Sequence, residues 1–145
     1  MKKFIFFLSF LVSISCSKKE IYIQEIPFSY ENSNAQPNLV SSYGSLSLSW
    51  VSYKEENEAS LNYSQYIEGR WIKPQVIASG SNWFINWADF PAHAINEDLI
   101  ITSHLKKSAS AKYTYDIVLN LQKLCGEKIK EDFLLNTDGI KAEHG

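Results

Sequence analysis

Basic charge, cysteine and long apolar runs are all scarce in this chain. Beyond residue 15 no run approaches the roughly 20 apolar residues that a transmembrane helix needs. The formal net charge is −2 at pH 7, whereas a protein that binds nucleic acid through its phosphates needs a basic face. The sequence therefore argues against a membrane-spanning helix after residue 15 and against nucleic acid as a partner.

Helical periodicity is missing as well. Apolar residues spaced three and four apart, which indicate an amphipathic helix, are not sustained in any segment. The nearest candidate, residues 123–133, lacks capping residues and contains Gly126. Aromatic residues make up 14% of the chain, and aromatic side chains favour strands. We therefore expect an all-β fold.

The amino terminus has the pattern of an export signal. Two lysines precede an apolar run over residues 4–14, which has the length of a signal-peptide core. Small residues at Ser13 and Ser15 lead directly to Cys16. This segment resembles a bacterial lipoprotein signal, in which the final cysteine receives diacylglycerol. We predict that residues 1–15 are a signal peptide and that Cys16 is the lipid attachment site, which labelled palmitate would reveal.

The lipoprotein pattern is incomplete. Its usual leucine, three residues before the cysteine, is replaced by Ser13. Ordinary signal peptidase also reads small residues at positions 13 and 15, so plain secretion remains an alternative, as does an uncleaved anchor. With lipid on Cys16, residues 16–35 would tether the protein to the cell envelope, at the outer membrane or cell surface or on the periplasmic side.

Removal of the signal peptide changes the net charge, and lipid on Cys16 decides whether the two cysteines can pair. It takes away two lysines and no acids, so the formal net charge falls from −2 to −4. If Cys16 carries lipid, Cys125 has no intramolecular partner, and we expect it to be a small, partly buried residue. A disulfide between the two cysteines is open only if Cys16 is not lipidated.

Alternation of apolar and polar residues predicts several strands. It is clearest over residues 45–50 and over residues 113–121. Gly69 ends another predicted strand, and Pro74 confines the short strand after it to an edge or a strand end. An edge strand is also predicted within the tether. The other predicted strands include Leu61 and Tyr63, Trp71 and Ile72, Leu99 to Leu105, Ile129, and, in the tether, Ile21, Ile23 and Ile26.

The strand pattern repeats. Pro37 is separated from Pro91 by the same offset that separates Trp50 from His104. A strand, a polar turn, a second strand, a glycine and a short strand recur at that offset. A period near 50 with four short strands per unit predicts a propeller blade, although a small sandwich also has many short alternating strands. We predict that residues 36–145 form about two blades of an incomplete β-propeller.

Several of these segments resemble bacterial sialidase-like propellers of the BNR or Asp-box group. The most specific is residues 81–91, Ser-Asn-Trp-Phe-Ile-Asn-Trp-Ala-Asp-Phe-Pro. The run from Gly69 to Pro74 is similar to the end of a blade in that family, and the pair Glu143 and His144 resembles a blade junction. The resemblance implies a propeller fold. It also implies that the missing blades come from another chain, or that the gene product is truncated.

The chain departs from the catalytic members of that family. Residues 122–129 keep only Gly126 of the Asp-box turn. Sialidases use a tyrosine nucleophile, and the resemblance implies an arginine cluster that pairs with the substrate carboxylate. Arg70 is the only arginine, so we assign no catalytic residue. We also expect no cofactor and no metal site, because the three histidines lack metal-ligand spacing.

Five residues are candidates for ligand binding. Trp83 and Trp87 could stack on a sugar ring, or could instead pack between blades. Asp89 could act as a general acid or bind ligand in the central funnel, or it could instead cap the turn before Pro91. Glu143 and His144 are candidates from the junction. We predict a non-catalytic, glycan-binding envelope protein. The alternatives are a truncated or split sialidase-like hydrolase and a non-functional remnant of a longer propeller gene.

Overall fold

The computed structural model describes residues 18–28, 33–55 and 58–140. Over these ranges the chain forms strands and turns, and no helix has the length and apolar character to span a bilayer. The expected all-β class is confirmed. The strands are β1 (Ser33–Ser42), β2 (Ser45–Glu55), β3 (Glu58–Ile67), β4 (Arg70–Trp71), β5 (Gln75–Gly80), β6 (Trp83–Phe84), β7 (Ala92–Asn96), β8 (Leu99–Lys107), β9 (Tyr115–Lys123) and β10 (Lys128–Leu134).

The first sheet is an antiparallel meander of β1, β2 and β3, with β4 and β5 on the far edge of β3. Because β4 and β5 pair with different parts of β3, they act as one interrupted fourth strand. Pro74 lies in the interruption, where its missing N–H breaks no ladder bond. Tyr43 and Gly44 form the β1–β2 turn with φ of 49° and 75°, as a type I′ hairpin turn requires.

The second sheet has the same plan. It runs β10, β9, β8 in space, and β6 and β7 both pair with the far edge of β8. Here the first strand is interrupted instead of the last. The strand order of the first sheet therefore recurs in the second, with β1, β2 and β3 matched by β7, β8 and β9. Trp50 of β2 and His104 of β8 occupy equivalent strands, as the repeat in the sequence predicts.

The two sheets pack against each other through one face of each. On the first sheet this face carries Ser47, Ser49 and Tyr63, and on the second it carries His93 and Ile100. The two serine hydroxyls and the Tyr63 ring contact His93. Tyr63 and Ile100 belong to the buried core, together with Ile77 and the partly buried Ile95 and Leu124.

The face by which the first sheet packs does not correspond, in the repeat, to the face by which the second sheet packs. At the offset that relates Trp50 to His104, Ser47 and Ser49 of β2 correspond to Ile101 and Ser103 of β8. Those two residues of β8 lie on the opposite side of the strand from the buried core, because successive strand residues point to opposite faces. Each sheet therefore presents a different face to the other. The second sheet follows the first as one repeat unit follows another, and the two are not related by a two-fold axis.

The outer face of the second sheet is apolar and incompletely covered. Ile101 is 37% exposed, and its neighbours on this face are half-buried. A small cavity of about 230 Å³ lies there against Ala92, Ala94 and Leu119. The half-buried apolar residues of this outer face include Leu105, Ile117, Leu119 and Leu121.

Three local predictions were wrong. Residues 18–28 form no strand, and Ile21 and Ile23 are 87% exposed; their alternation finds no partner strand among the described residues, and a strand requires a paired ladder. The range predicted for the tether, residues 16–35, overlaps the first strand, because β1 already begins at Ser33. Cys125 is exposed, not partly buried, since it lies in the β9–β10 turn beside Gly126.

Candidate functional site

Trp83 of β6 packs against His104 of β8, within the second sheet, and against the end of β5. Its ring lies 4.2 Å from that of His104, centroid to centroid, with the planes tilted by 31°. A Cβ added to Gly80 would lie 2.7 Å from Trp83 Nε1, so the indole occupies the space that a side chain at the end of β5 would need. One face of the Trp83 ring is covered by His104, so that face is not open to stack on a sugar.

Asp89 belongs to a closed turn. Asn86 Nδ2 donates to Asp89 Oδ2 at 2.9 Å, and Asn86 Oδ1 accepts from the backbone N–H groups of Ala88 and Asp89 at 2.7 and 2.8 Å. An asparagine side chain that bonds the backbone ahead of it stabilises a turn. Burial, followed by the negative charge of Asp89, raises the pKa of Tyr115. Asn86 therefore caps the backbone of this turn, and the Asp89 carboxylate holds the Asn86 side chain in place.

Trp87 is presented by the same turn. Its side chain is 87% exposed, although the residues on either side of it are held by the three Asn86 hydrogen bonds. An exposed tryptophan on a fixed turn offers a flat apolar ring with an N–H donor to a ligand. Of the three candidates in residues 81–91, Trp87 alone combines a fixed backbone with an open ring. Trp87 was predicted from the sequence, but the hydrogen bonds by which Asn86 fixes the turn were not.

The remaining predicted site residues cannot be placed. The signal peptide and Cys16 lie outside the described residues, as do Glu143 and His144. Their assigned roles therefore stay predictions.

His93 forms a buried link between the sheets that the sequence did not reveal. Its Nε2 lies 2.8 Å from Ser47 Oγ, and its Nδ1 lies 2.8 Å from Ser49 Oγ. Burial lowers the pKa of His93 to about 4, so the ring is neutral near pH 7 and one nitrogen donates while the other accepts. With 6% of its surface exposed, His93 is positioned for structure and not for contact with a substrate.

A second buried histidine lacks such partners. His104 is 2% exposed, and neither ring nitrogen has a hydrogen-bond partner among the described residues. Burial lowers the pKa of His104 to about 4, and the charges of Asp132 and Lys106 act in opposite directions. Thr102 Oγ1 and Asn120 Nδ2 are also buried without a partner there. The interface between the sheets is thus unusually polar for a core.

An aromatic groove lies at the other end of the first sheet. It has a volume of about 340 Å³ and is bounded by residues 26–28 and by the β3–β4 turn. Phe28 meets Trp71 edge-on at 5.6 Å, and Trp71 meets Tyr66 at 5.3 Å. The exposed Arg70 also lines this groove. The sequence could not predict it, because Phe28 comes from a segment far along the chain from the turn.

Neither a metal site nor a known relative indicates a function. In the described part of the chain no three His, Cys, Asp or Glu side chains are grouped so as to hold a metal ion. No protein-family model matches this sequence, and comparison with curated proteins and with solved structures likewise returned no match. The features of this chain that bear on its function are therefore the exposed Trp87 ring and the aromatic groove.

Proposed function

We propose that this chain is an exported, lipid-anchored protein of the cell envelope that binds a glycan without hydrolysing it. Its domain is, in this proposal, an incomplete propeller of the sialidase-like type. Export and anchoring are supported by the signal-peptide pattern of residues 1–15 and by Cys16 directly after it.

The propeller assignment is supported by the stacking of the two sheets. Each sheet has five strands, two of which share one edge of their neighbour, so each is an antiparallel meander with four strand positions. The sheets pack through non-equivalent faces, since Ser47 and Ser49 of the first contact His93 of the second. The equivalent strands β1 and β7 also lie together: Ser42 Oγ donates to the Ile95 carbonyl at 3.2 Å, and Tyr43 Oη donates to Asn96 Oδ1 at 2.9 Å. Neighbouring blades of a propeller, repeated around a central axis, have this relation.

A further four-stranded unit of the same repeat, carried by another chain, would continue the stack. Its place would be the outer face of the second sheet, which is equivalent to the face by which the first sheet packs. Repeat units bury their apolar faces only against neighbours. The half-buried leucines and isoleucines of this face, around the exposed Ile101, support the proposal.

The glycan assignment depends on one observation, the open ring of Trp87 on a turn fixed by Asn86. A sugar presents C–H groups that pack on an indole ring and hydroxyls that bond to nearby polar groups. Binding without hydrolysis is supported by the single arginine, Arg70, which cannot form the cluster that a sialidase-like site implies.

A split or truncated sialidase-like hydrolase is the second candidate, favoured by the incompletely covered face of the second sheet. A non-functional remnant of a longer propeller gene would leave the same face uncovered. Turnover of a fluorogenic sialoside by the mature chain would establish the hydrolase. A remnant would show neither turnover nor glycan binding.

The glycan proposal is tested by a binding screen of residues 17–145 on immobilised envelope glycans. Trp87→Ala should weaken binding about tenfold or more, which corresponds to about 1.4 kcal/mol, without changing the circular dichroism spectrum. Leu39→Ala is the control, because Leu39 is an apolar residue that is 59% exposed on β1 of the other sheet. Equal binding by the wild-type protein and Trp87→Ala would remove Trp87 as the binding residue.

A further inference from the structure

Three consecutive apolar residues near the start of the mature chain are almost fully exposed. Ile21 and Ile23 are each 87% exposed and Tyr22 is 85% exposed. None of the three belongs to a strand, and we refer to them as the apolar triplet. Exposed apolar clusters of this kind mark contact with a protein, a ligand or a membrane.

The segment that carries the apolar triplet is fastened to the first sheet. Phe28 packs edge-on against Trp50, with ring centroids 4.9 Å apart, and against Trp71 at 5.6 Å. The segment before Phe28 therefore limits how far the first sheet can lie from Cys16. Phe28 is twelve positions after Cys16, so the two are at most about 40 Å apart even when the chain is fully extended.

The apolar triplet lies even closer to the attachment point. Ile21 is five residues and Ile23 is seven residues from Cys16, so neither can be more than about 25 Å from it along an extended chain. If Cys16 carries lipid, the nearest apolar phase to these side chains is the bilayer. This step rests on the anchor that forms part of the proposed function.

We propose that the apolar triplet inserts into the bilayer interface beside the lipid anchor and holds the first sheet against the membrane. A tyrosine between two isoleucines suits this position, since amphipathic aromatic rings favour the headgroup level. Lys18 and Lys19 are balanced by Glu20 and Glu25 in the same segment. The insertion is therefore driven by apolar burial and depends little on anionic lipid or on salt.

The experiment replaces the natural anchor, so that it does not depend on lipidation. Residues 17–145 carry an amino-terminal hexahistidine tag and are held on phosphatidylcholine vesicles that contain a nickel-chelating lipid. A fluorophore is attached at Ile23→Cys in a Cys125→Ser background, because Cys125 is exposed and would also react. Quenching by iodide reports whether the labelled side chain is exposed to water.

Iodide quenching of the label should fall by about half or more on the vesicles, because an inserted side chain lies about 5–10 Å into the interface. The same label at Ile140→Cys, a residue 63% exposed at the far end of the described chain, should be quenched equally with and without vesicles. Adding Ile21→Asp should restore quenching at position 23.

Equal quenching at position 23 with and without vesicles would overturn the proposal, and so would protection that Ile21→Asp leaves unchanged. Failure of palmitate to label Cys16 in cells is a separate result. It would remove the anchor from the proposed function without altering the vesicle measurement.

Discussion

His93 joins the two sheets through buried hydrogen bonds. Its two ring nitrogens bond Ser47 and Ser49, and all three side chains are buried. His93→Leu removes both bonds and leaves the buried Ser49 hydroxyl without a partner, whereas Ser47 Oγ keeps the Val40 carbonyl at 3.3 Å as its acceptor. The substitution should lower the free energy of unfolding by about 2 kcal/mol. Urea denaturation of the mature protein measures the loss.

His104→Leu is the matched control for that substitution. His104 is equally buried, but its ring nitrogens have no hydrogen-bond partner among the described residues, so its replacement should cost less than about 1.5 kcal/mol. A larger loss for His104→Leu than for His93→Leu would contradict the role assigned to His93.

Both histidines should make the fold sensitive to mild acid. Burial lowers the pKa of His93 and of His104 to about 4, whereas both should titrate near 6.5 when unfolded. The unfolded chain therefore binds more protons as the pH falls, and stability that is complete above pH 6.5 is lost toward pH 4. Between pH 7 and pH 5 each histidine should cost about 2 kcal/mol.

Urea denaturation at the two pH values measures this loss, and comparison with His104→Leu isolates the share of one histidine. The variant should show roughly half of the wild-type decrease. A wild-type protein as stable at pH 5 as at pH 7 would show that the two imidazoles are not buried as neutral groups.

At the scale of elements, the strands with clear alternation followed from the sequence, as did the short edge strand β4, whereas β1, β5, β6 and β7 did not. Alternation predicted β2 and β9, because one face of each is buried and the pattern has period two. The interrupted strands β4 and β5 follow the edge of β3, so their bounds are set by their partner and not by their own residues. The edge strand predicted at Ile21, Ile23 and Ile26 does not form, because among the described residues this segment has no partner strand.

The candidate site divides in the same way. Trp87 and Asp89 could be singled out from the sequence, because they stand in the one short segment that most resembles the propeller family. The aromatic groove beside Arg70 could not, since it needs Phe28 to meet Trp71, and such distant contacts leave no local pattern.

The two faces of β8 should respond very differently to charge. Ile100 is fully buried against the first sheet, whereas its neighbour Ile101 is 37% exposed on the outer face. Ile100→Lys should therefore destabilise the fold by more than about 4 kcal/mol, and Ile101→Lys by less than about 1 kcal/mol. Urea denaturation of the two variants makes the comparison. Similar losses at both positions would mean that the outer face is packed in the isolated chain.

At the scale of the whole molecule, the sequence left a propeller and a sandwich as competing architectures. Both have short alternating strands, and a repeated strand order does not say which faces meet. Which faces meet depends on the side of each strand that is buried, and that side is defined only when the sheets are paired and packed. Here Ser47 and Ser49 face His93, whereas their equivalents Ile101 and Ser103 face outward.

The proposed function depends first on the lipid anchor, because location at the envelope decides which ligands and surfaces the domain can meet. Labelling of expressing cells with palmitate tests it directly. The wild-type protein and Cys125→Ala should incorporate label, whereas Cys16→Ala should not. Equal labelling of Cys16→Ala and the wild-type protein, or no labelling of either, would contradict it.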